Sequence, residues 1–174
     1  MKNEMLEIIS SRRSIKGYTD KLVPREILKK IITAGTEAAS GRNLQGAIIV
    51  AVTNKEIRDK LSAANAAVLS ASSDPFYGAP AVLVVLADKS VRTSIYDASL
   101  VAGNIMLAAH ALGVGSCWIH RAREVFETPE WREWLASIGV TGEYEGVANM
   151  VIGYPSGDYP AKKQVLPGRV YHVD

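Results

Sequence analysis

Cysteine occurs once in the 174 residues, as Cys117. No intrachain disulfide can form, which suits a cytoplasmic setting. Charge of one sign is scarce as well. The formal net charge is +2, too small for a nucleic-acid binder that works by bulk basicity. Long apolar runs are missing. The longest, Gly46 to Val52 and Gly78 to Ala87, fall short of the roughly 18 residues a membrane helix needs, so no membrane partner is expected. Met1 to Ser10 mixes Lys2, Glu4 and Glu7 with apolar positions, unlike the core of a secretory leader. The chain has no internal repeat and no low-complexity tract. It has no GxGxxG after a strand and no GxxxxGK[ST], which removes the two standard nucleotide loops. It has no G-x-S-x-G elbow. His110, His120 and His172 are scattered and form no metal-ligand spacing with Cys117.

What is present fits one globular domain over residues 1–174, with 48% apolar and 22% charged residues. Met5, Leu6, Ile8 and Ile9 predict a short amphipathic helix ending near Ser10 or Ser11, with Arg12-Arg13-Ser14 directly after it. Pro24 opens a second helix, on which Ile27, Leu28, Ile31 and Ile32 form a stripe. Ala47 to Val52 reads as a buried strand. Asn54 caps a helix expected to bury Ile57, Leu61, Ala64 and Val68. Ala79 to Leu86 is a second buried strand and Asp97 to Leu112 a helix rich in small residues. Ser116 to His120, a short helix from Thr128 and Pro129, and a strand over Val147 to Gly153 follow. The tail closes with Val170 to Val173 as an edge strand. Alternating helices and strands give an α/β or α+β sandwich. The extended tail, the small-residue helix and the unpartnered first helix suggest a dimer that exchanges chain segments.

Three polar clusters carry the chemistry. Arg12, Arg13 and Ser14 offer two guanidinium forks and a hydroxyl, a donor set suited to phosphate. Ser40, Gly41, Asn43 and Gln45 lie on one loop, and carboxamides both donate and accept, as a heterocycle requires. Lys162 and Lys163 could complete a phosphate cage from far along the chain. Each cluster alone reads more readily as a solvated surface feature. Asn65, among four alanines, is either a core amide with a local partner or a ligand contact. Gly113 to Ile119 joins helix to strand through two glycines, where backbone can approach a flat ring. Cys117, beside Trp118, reads as a buried structural thiol.

In that order and spacing, the chain resembles the FMN-dependent nitroreductase family, whose members are NAD(P)H:flavin oxidoreductase-like. The motifs are Ser11 to Tyr18, Ala38 to Gln45, Gly78-Ala79-Pro80, Gly113 to Ile119, and Ile152-Gly153-Tyr154-Pro155. The resemblance implies an α+β three-layer sandwich, a central mixed sheet flanked by helices, in a homodimer that exchanges its C-terminal arms. It implies two FMN sites at the dimer interface. Arg12, Arg13, Ser14, Lys162 and Lys163 would hold the phosphate and ribityl chain. Ser40 to Gln45, from the partner chain, would line the ring or substrate pocket, with Asn65 near the ring's polar edge and Cys117, Trp118 and Ile119 along its other side. The implied activity is ping-pong hydride transfer from NADH or NADPH to a small acceptor such as a nitroaromatic or quinone. The cofactor carries the chemistry, so no catalytic side chain is expected. The alternative is an FMN-binding carrier or sensor with little turnover. Three features depart from the family pattern. Gly46-Ala47 stand where a proline and an aromatic often follow Gln45, His120-Arg121 follow the third strand, and lid insertions are short or missing.

Overall fold

The computed structural model describes residues 3–174. Met1 and Lys2, part of the stretch read above for a leader, lie outside the described residues. Four strands form one sheet in the order β1-β2-β4-β3. They are β1 (Ala47–Val52), β2 (Ala81–Asp88), β3 (Gly115–Ile119) and β4 (Tyr144–Gly153). All three pairings between these strands are antiparallel. The parallel component of the expected mixed sheet is an isolated bridge between Ser14 and Ser116 on the outer edge of β3.

β2 and β4 are central, and every β2 residue from Ala81 to Ala87 is buried. An unbroken apolar run is what a strand covered on both faces needs. Leu83, Val85, Met150 and Ile152 face one layer, built from α2 (Arg25–Thr36) and α4 (Ser94–Ala111). Val82, Val84, Leu86 and Val151 face the other, built from α3 (Lys55–Val68), α5 (Ala122–Phe126) and α6 (Pro129–Ser137). The layers are therefore helix, sheet, helix, as expected.

Several expectations need correction. β1 is the sheet's edge and is mostly half-buried, with only Val52 fully buried, because it has a neighbour on one side alone. Helix α3 begins at the predicted cap, where Asn54 Oδ1 accepts from Ile57 N at 3.0 Å. It buries Arg58, Leu61, Ser62, Asn65 and Ala66, so that of the predicted stripe Leu61 is buried, Ile57 and Ala64 are half-buried against the core, and Val68 is exposed. Polar groups occupy the inner face because they have tertiary partners. Arg58 donates from Nε to Ala79 O at 2.9 Å and from Nη2 to Asp74 Oδ2 at 2.6 Å, while Ser62 Oγ bonds Asp74 Oδ1. Helix α5 was not anticipated. Val170 to Val173 form no strand and are exposed. Helix α1 (Glu4–Ser11) buries none of its residues.

Candidate functional site

Helix α1 stops at Arg12, whose extended backbone starts a short segment along the edge of β3. Ile15 N donates to Ser116 O at 3.1 Å, and Ile15 is buried. Arg12, Ser14 and Lys16 alternate along this segment. All three bear on one thiol. Burial pushes the Cys117 pKa up, while the Ser14 hydroxyl and the charges of Lys16 and Arg12 pull it back. A thiol held above its ordinary value is not a nucleophile near neutral pH. Arg12 Nη1 is buried and has no hydrogen-bond partner.

Arg13 points elsewhere. Its Nε donates to Ala161 O at 2.9 Å, and its Nη1 donates to Ser10 O at 2.9 Å and Arg12 O at 2.7 Å. Arg13 is thus spent on clamping the start of the C-terminal arm, which brings the exposed Lys162 and Lys163 up to the Arg12–Ser14 segment. A second clamp lies beside it. Ser11 Oγ donates to Glu7 O at 2.7 Å and therefore accepts from His110 Nε2–H at 2.8 Å. His110 Nδ1 then accepts from the Tyr159 hydroxyl at 3.1 Å, and that oxygen accepts from Arg13 N–H at 3.2 Å. This tautomer is the one the hydrogen-bond network requires.

The Ser40 to Gln45 loop is built differently. Arg42, Asn43 and Gln45 all have positive φ, at 55°, 55° and 50°. The local bonds Gln45 N to Ser40 Oγ (3.2 Å) and Gln45 Nε2 to Asn43 Oδ1 (3.0 Å) hold the loop. Its anchor is buried Asp97 at the N-terminal end of α4, which accepts from Gly41 N at 3.1 Å and Thr93 Oγ1 at 3.0 Å. Only glycine fits at 41, since a Cβ would come within 2.5 Å of Thr93 Oγ1. Ser40, Gln45 and Asp97 line a cavity of about 100 Å³ with Ala47, Ile49 and Val101.

Asp97 and His110 mark the two ends of one helix, about 20 Å apart at 1.5 Å per residue. Within one chain, then, the structure joins Arg12, Ser14, Cys117, Lys162 and Lys163 but leaves Ser40, Gly41, Asn43 and Gln45 at the far end of α4. Between these ends runs the free edge of β3. Ser116 O faces Ile15 N, so alternation also turns the Trp118 N–H and C=O outward, while Ile119 is buried. Asn65 is a fully buried amide whose partners lie far along the chain. Its Nδ2 donates to His120 O at 2.9 Å, and its Oδ1 accepts from Arg121 Nε at 3.2 Å. Sequence reasoning missed Lys16, although its spacing from Arg12 and Ser14 in an extended segment was a usable signal. It also missed His110 and Tyr159, whose pairing across 49 residues has no local signature.

The model of the "Nitroreductase family" matches residues 9–75 and 69–154. The chain belongs to the nitroreductase family. It is 30% identical over 183 residues to an NADPH-flavin oxidoreductase of Vibrio harveyi, covering 97% of this chain and 72% of that one. It is 29% identical to an FMN reductase [NAD(P)H] of Bacillus subtilis, over 95% of this chain and 71% of the relative. A crystal structure of a Bacteroides fragilis nitroreductase with bound FMN superposes with a TM-score of 0.88 at 28% identity, over 99% of this chain and all of that one. The nitroreductase fold is therefore present from end to end.

Proposed function

We propose that this nitroreductase-family chain is a single-domain, FMN-dependent NAD(P)H oxidoreductase. It works in the cytoplasm as a homodimer and reduces small acceptors such as nitroaromatics and quinones. The observation that carries the reading is Arg12. Its Nη1 is buried without a partner, in the segment that also carries Ser14 and Lys16 and that Arg13 ties to the arm at Ala161, one residue before Lys162. A buried donor left unpaired costs about 1–3 kcal/mol, and a phosphate oxygen would satisfy it through a charge-assisted bond. The donor set thus fits the phosphate of FMN, with Arg12, Ser14, Lys16 and one or both lysines holding it. Trp118 N–H on the free edge of β3 is a backbone donor available to a flat ring.

When bound, FMN would supply the redox chemistry that links NAD(P)H to an acceptor. The chain's own work is to anchor the phosphate, present the strand edge to the ring and keep Cys117 protonated and inert. A second copy completes the site, because Ser40, Asn43 and Gln45 stand too far from Arg12 to share one ligand within a single chain. The surface supports that assembly. Met5, Leu6 and Ile9 on α1, Tyr96 and Leu100 on α4, and Val165, Leu166, Val170, Tyr171 and Val173 on the arm are all exposed apolar groups. Tyr96, Leu100 and Gly103 fall on one stripe of α4, and a Cβ at Gly103 would meet nothing within 4 Å. Among the described residues no helix is long and apolar enough to cross a membrane.

Purified protein loaded with FMN is expected to bleach within seconds when NADH or NADPH is added anaerobically, and to recover colour with a quinone. Protein that cannot be loaded with FMN removes the reading. FMN uptake with reduction over hours supports a carrier or sensor instead.

A further inference from the structure

The mechanism above leaves one cationic feature unused, the turn between β3 and α5. Its backbone is held from three sides. His120 O accepts from Asn65 Nδ2 at 2.9 Å, and Arg121 Nε donates to Asn65 Oδ1 at 3.2 Å, so one fully buried carboxamide fixes both residues. Behind the turn, β4 presses so close at Gly146 that a Cβ there would come within 2.2 Å of Ala122 O. Arg121 itself sits at φ 74°, in the left-handed region that arginine adopts at a cost and glycine adopts freely. A glycine would make this turn with less strain, so what position 121 adds is the guanidinium. That guanidinium forms no ion pair among the described residues, in contrast to Arg123, two residues on, which meets Glu127 at 3.0 Å and Glu145 at 3.2 Å. The His120 side chain beside it is exposed.

Position gives the turn its meaning. Ser116, next to the phosphate-binding segment, and His120 lie at opposite ends of β3, about 13 Å apart. Given the FMN reading, a phosphate anchored at Arg12 places this rigid cationic turn at the far end of the strand, where the ring meets its substrates. Strained residues fixed by their surroundings cluster at such sites.

We propose that Arg121, with His120 as a weaker companion, forms a cationic rim that selects substrates bearing an anionic group. The group is either the 2′-phosphate of NADPH or a carboxylate or sulfonate on the electron acceptor. Arg121 acts on binding and not on the chemistry. In each turnover NAD(P)H gives up two electrons and one proton as hydride, and with one more proton from water a quinone becomes its hydroquinone. The guanidinium contributes a fixed planar fork that meets two oxygens of the anion.

The test uses FMN-loaded protein in two anaerobic arms. One arm measures flavin bleaching by NADPH against NADH. The other measures reoxidation by 1,4-naphthoquinone against 1,4-naphthoquinone-2-sulfonate. Arg121→Gln is expected to lower the anionic-to-neutral ratio of kcat/KM about tenfold or more in one arm, His120→Gln about threefold or less, and Arg121→Lys between the two. Loss in the first arm assigns the phosphate and loss in the second assigns the acceptor. Should Arg121→Gln fail to fold, the wild-type protein still decides, since its preference for the anionic partner must shrink several-fold between about 10 and 500 mM salt. Equal ratios in variant and wild type, or a wild-type preference indifferent to salt, overturn the proposal while leaving the FMN reading intact. Wild-type protein that takes up no FMN removes both.

Discussion

The two ends of α4 solve opposite problems. At its N-terminal end, Asp97 gathers backbone and hydroxyl donors from Gly41 and Thr93 and holds a loop whose backbone is strained at three non-glycine positions. At its C-terminal end, His110 joins α1, the arm and the extended segment through a chain of bonds that leaves one buried nitrogen of Arg12 unpaired. The first end is internally complete and carries carboxamides. The second is incomplete and carries cations. Two half-sites of complementary chemistry, about 20 Å apart on one helix, are what the proposed dimer would bring together.

The strongest way to break that comparison is complementation. Arg12→Ala damages the cationic half, and Asn43→Gly with Gln45→Gly removes the carboxamides while keeping positive φ. Each homomeric variant is expected to lose most of its FMN. Random pairing of the two in a co-expressed mixture should restore about one quarter of the sites, since each mixed dimer has one site built from intact halves. No recovery of bound flavin would place the whole site in one chain.

Next in size, Arg12→Ala alone should weaken FMN affinity about 10- to 150-fold, the scale of a lost charged hydrogen bond. It should change the melting temperature of the FMN-free protein little, because Arg12 Nη1 satisfies no partner there. Titration with FMN followed by thermal unfolding checks both halves of the expectation. Arg13→Ala should instead lower the melting temperature of the FMN-free protein and free the arm, because its guanidinium holds Ala161 O and Ser10 O, and it should weaken FMN only indirectly, through Lys162 and Lys163. Asp97→Ala belongs to the complete end. It should cost about 1.5–3 kcal/mol of stability in chemical denaturation, the range for bonds to a charged acceptor, and loosen the Gly41 turn. An Asp97 variant as stable as wild type would show that the loop holds itself.

The same contrast explains what the sequence could show. Elements with local causes were readable. Asn54, Pro24 and Thr128-Pro129 mark helix starts by their own chemistry, and the unbroken run in β2 announces a strand buried on both faces. The Arg12-Arg13-Ser14 run of the proposed cationic half also stands out, because three consecutive donors directly follow an apolar helix. What failed depended on partners distant in the chain. The inner face of α3 was read only in part, because Arg58 and Ser62 look solvent-facing until Asp74 is placed beside them. Asn65 looked ambiguous because its partners lie 55 and 56 residues away. Positive φ at Arg42, Asn43 and Gln45 was invisible, since these side chains do not favour that region as glycine does. That the Arg13 guanidinium is spent on the arm was equally invisible, since it is a contact across 148 residues.

The smallest effect concerns the arm's clasp and acid. Burial first, then the charges of Arg12 and Arg13, hold the His110 pKa below its ordinary value of 6.5. Neutral His110 accepts from the Tyr159 hydroxyl at Nδ1, and protonation turns that nitrogen into a donor. The phenol must then reverse its proton toward Ser11 O, 3.5 Å away, a poor bond. The sign follows from linkage. The unfolded chain binds the proton more readily, so the clasp's contribution is whole above about pH 6.5 and declines as the pH falls through the lowered folded value. Limited proteolysis of residues 156–174 should therefore run modestly faster at pH 5.5 than at pH 7.5 in the wild type. Glutamine at this position can donate with one end and accept with the other but does not titrate, so His110→Gln should abolish the difference. An arm cut at equal rates at both pH values in the wild type would show that Arg13 alone holds it.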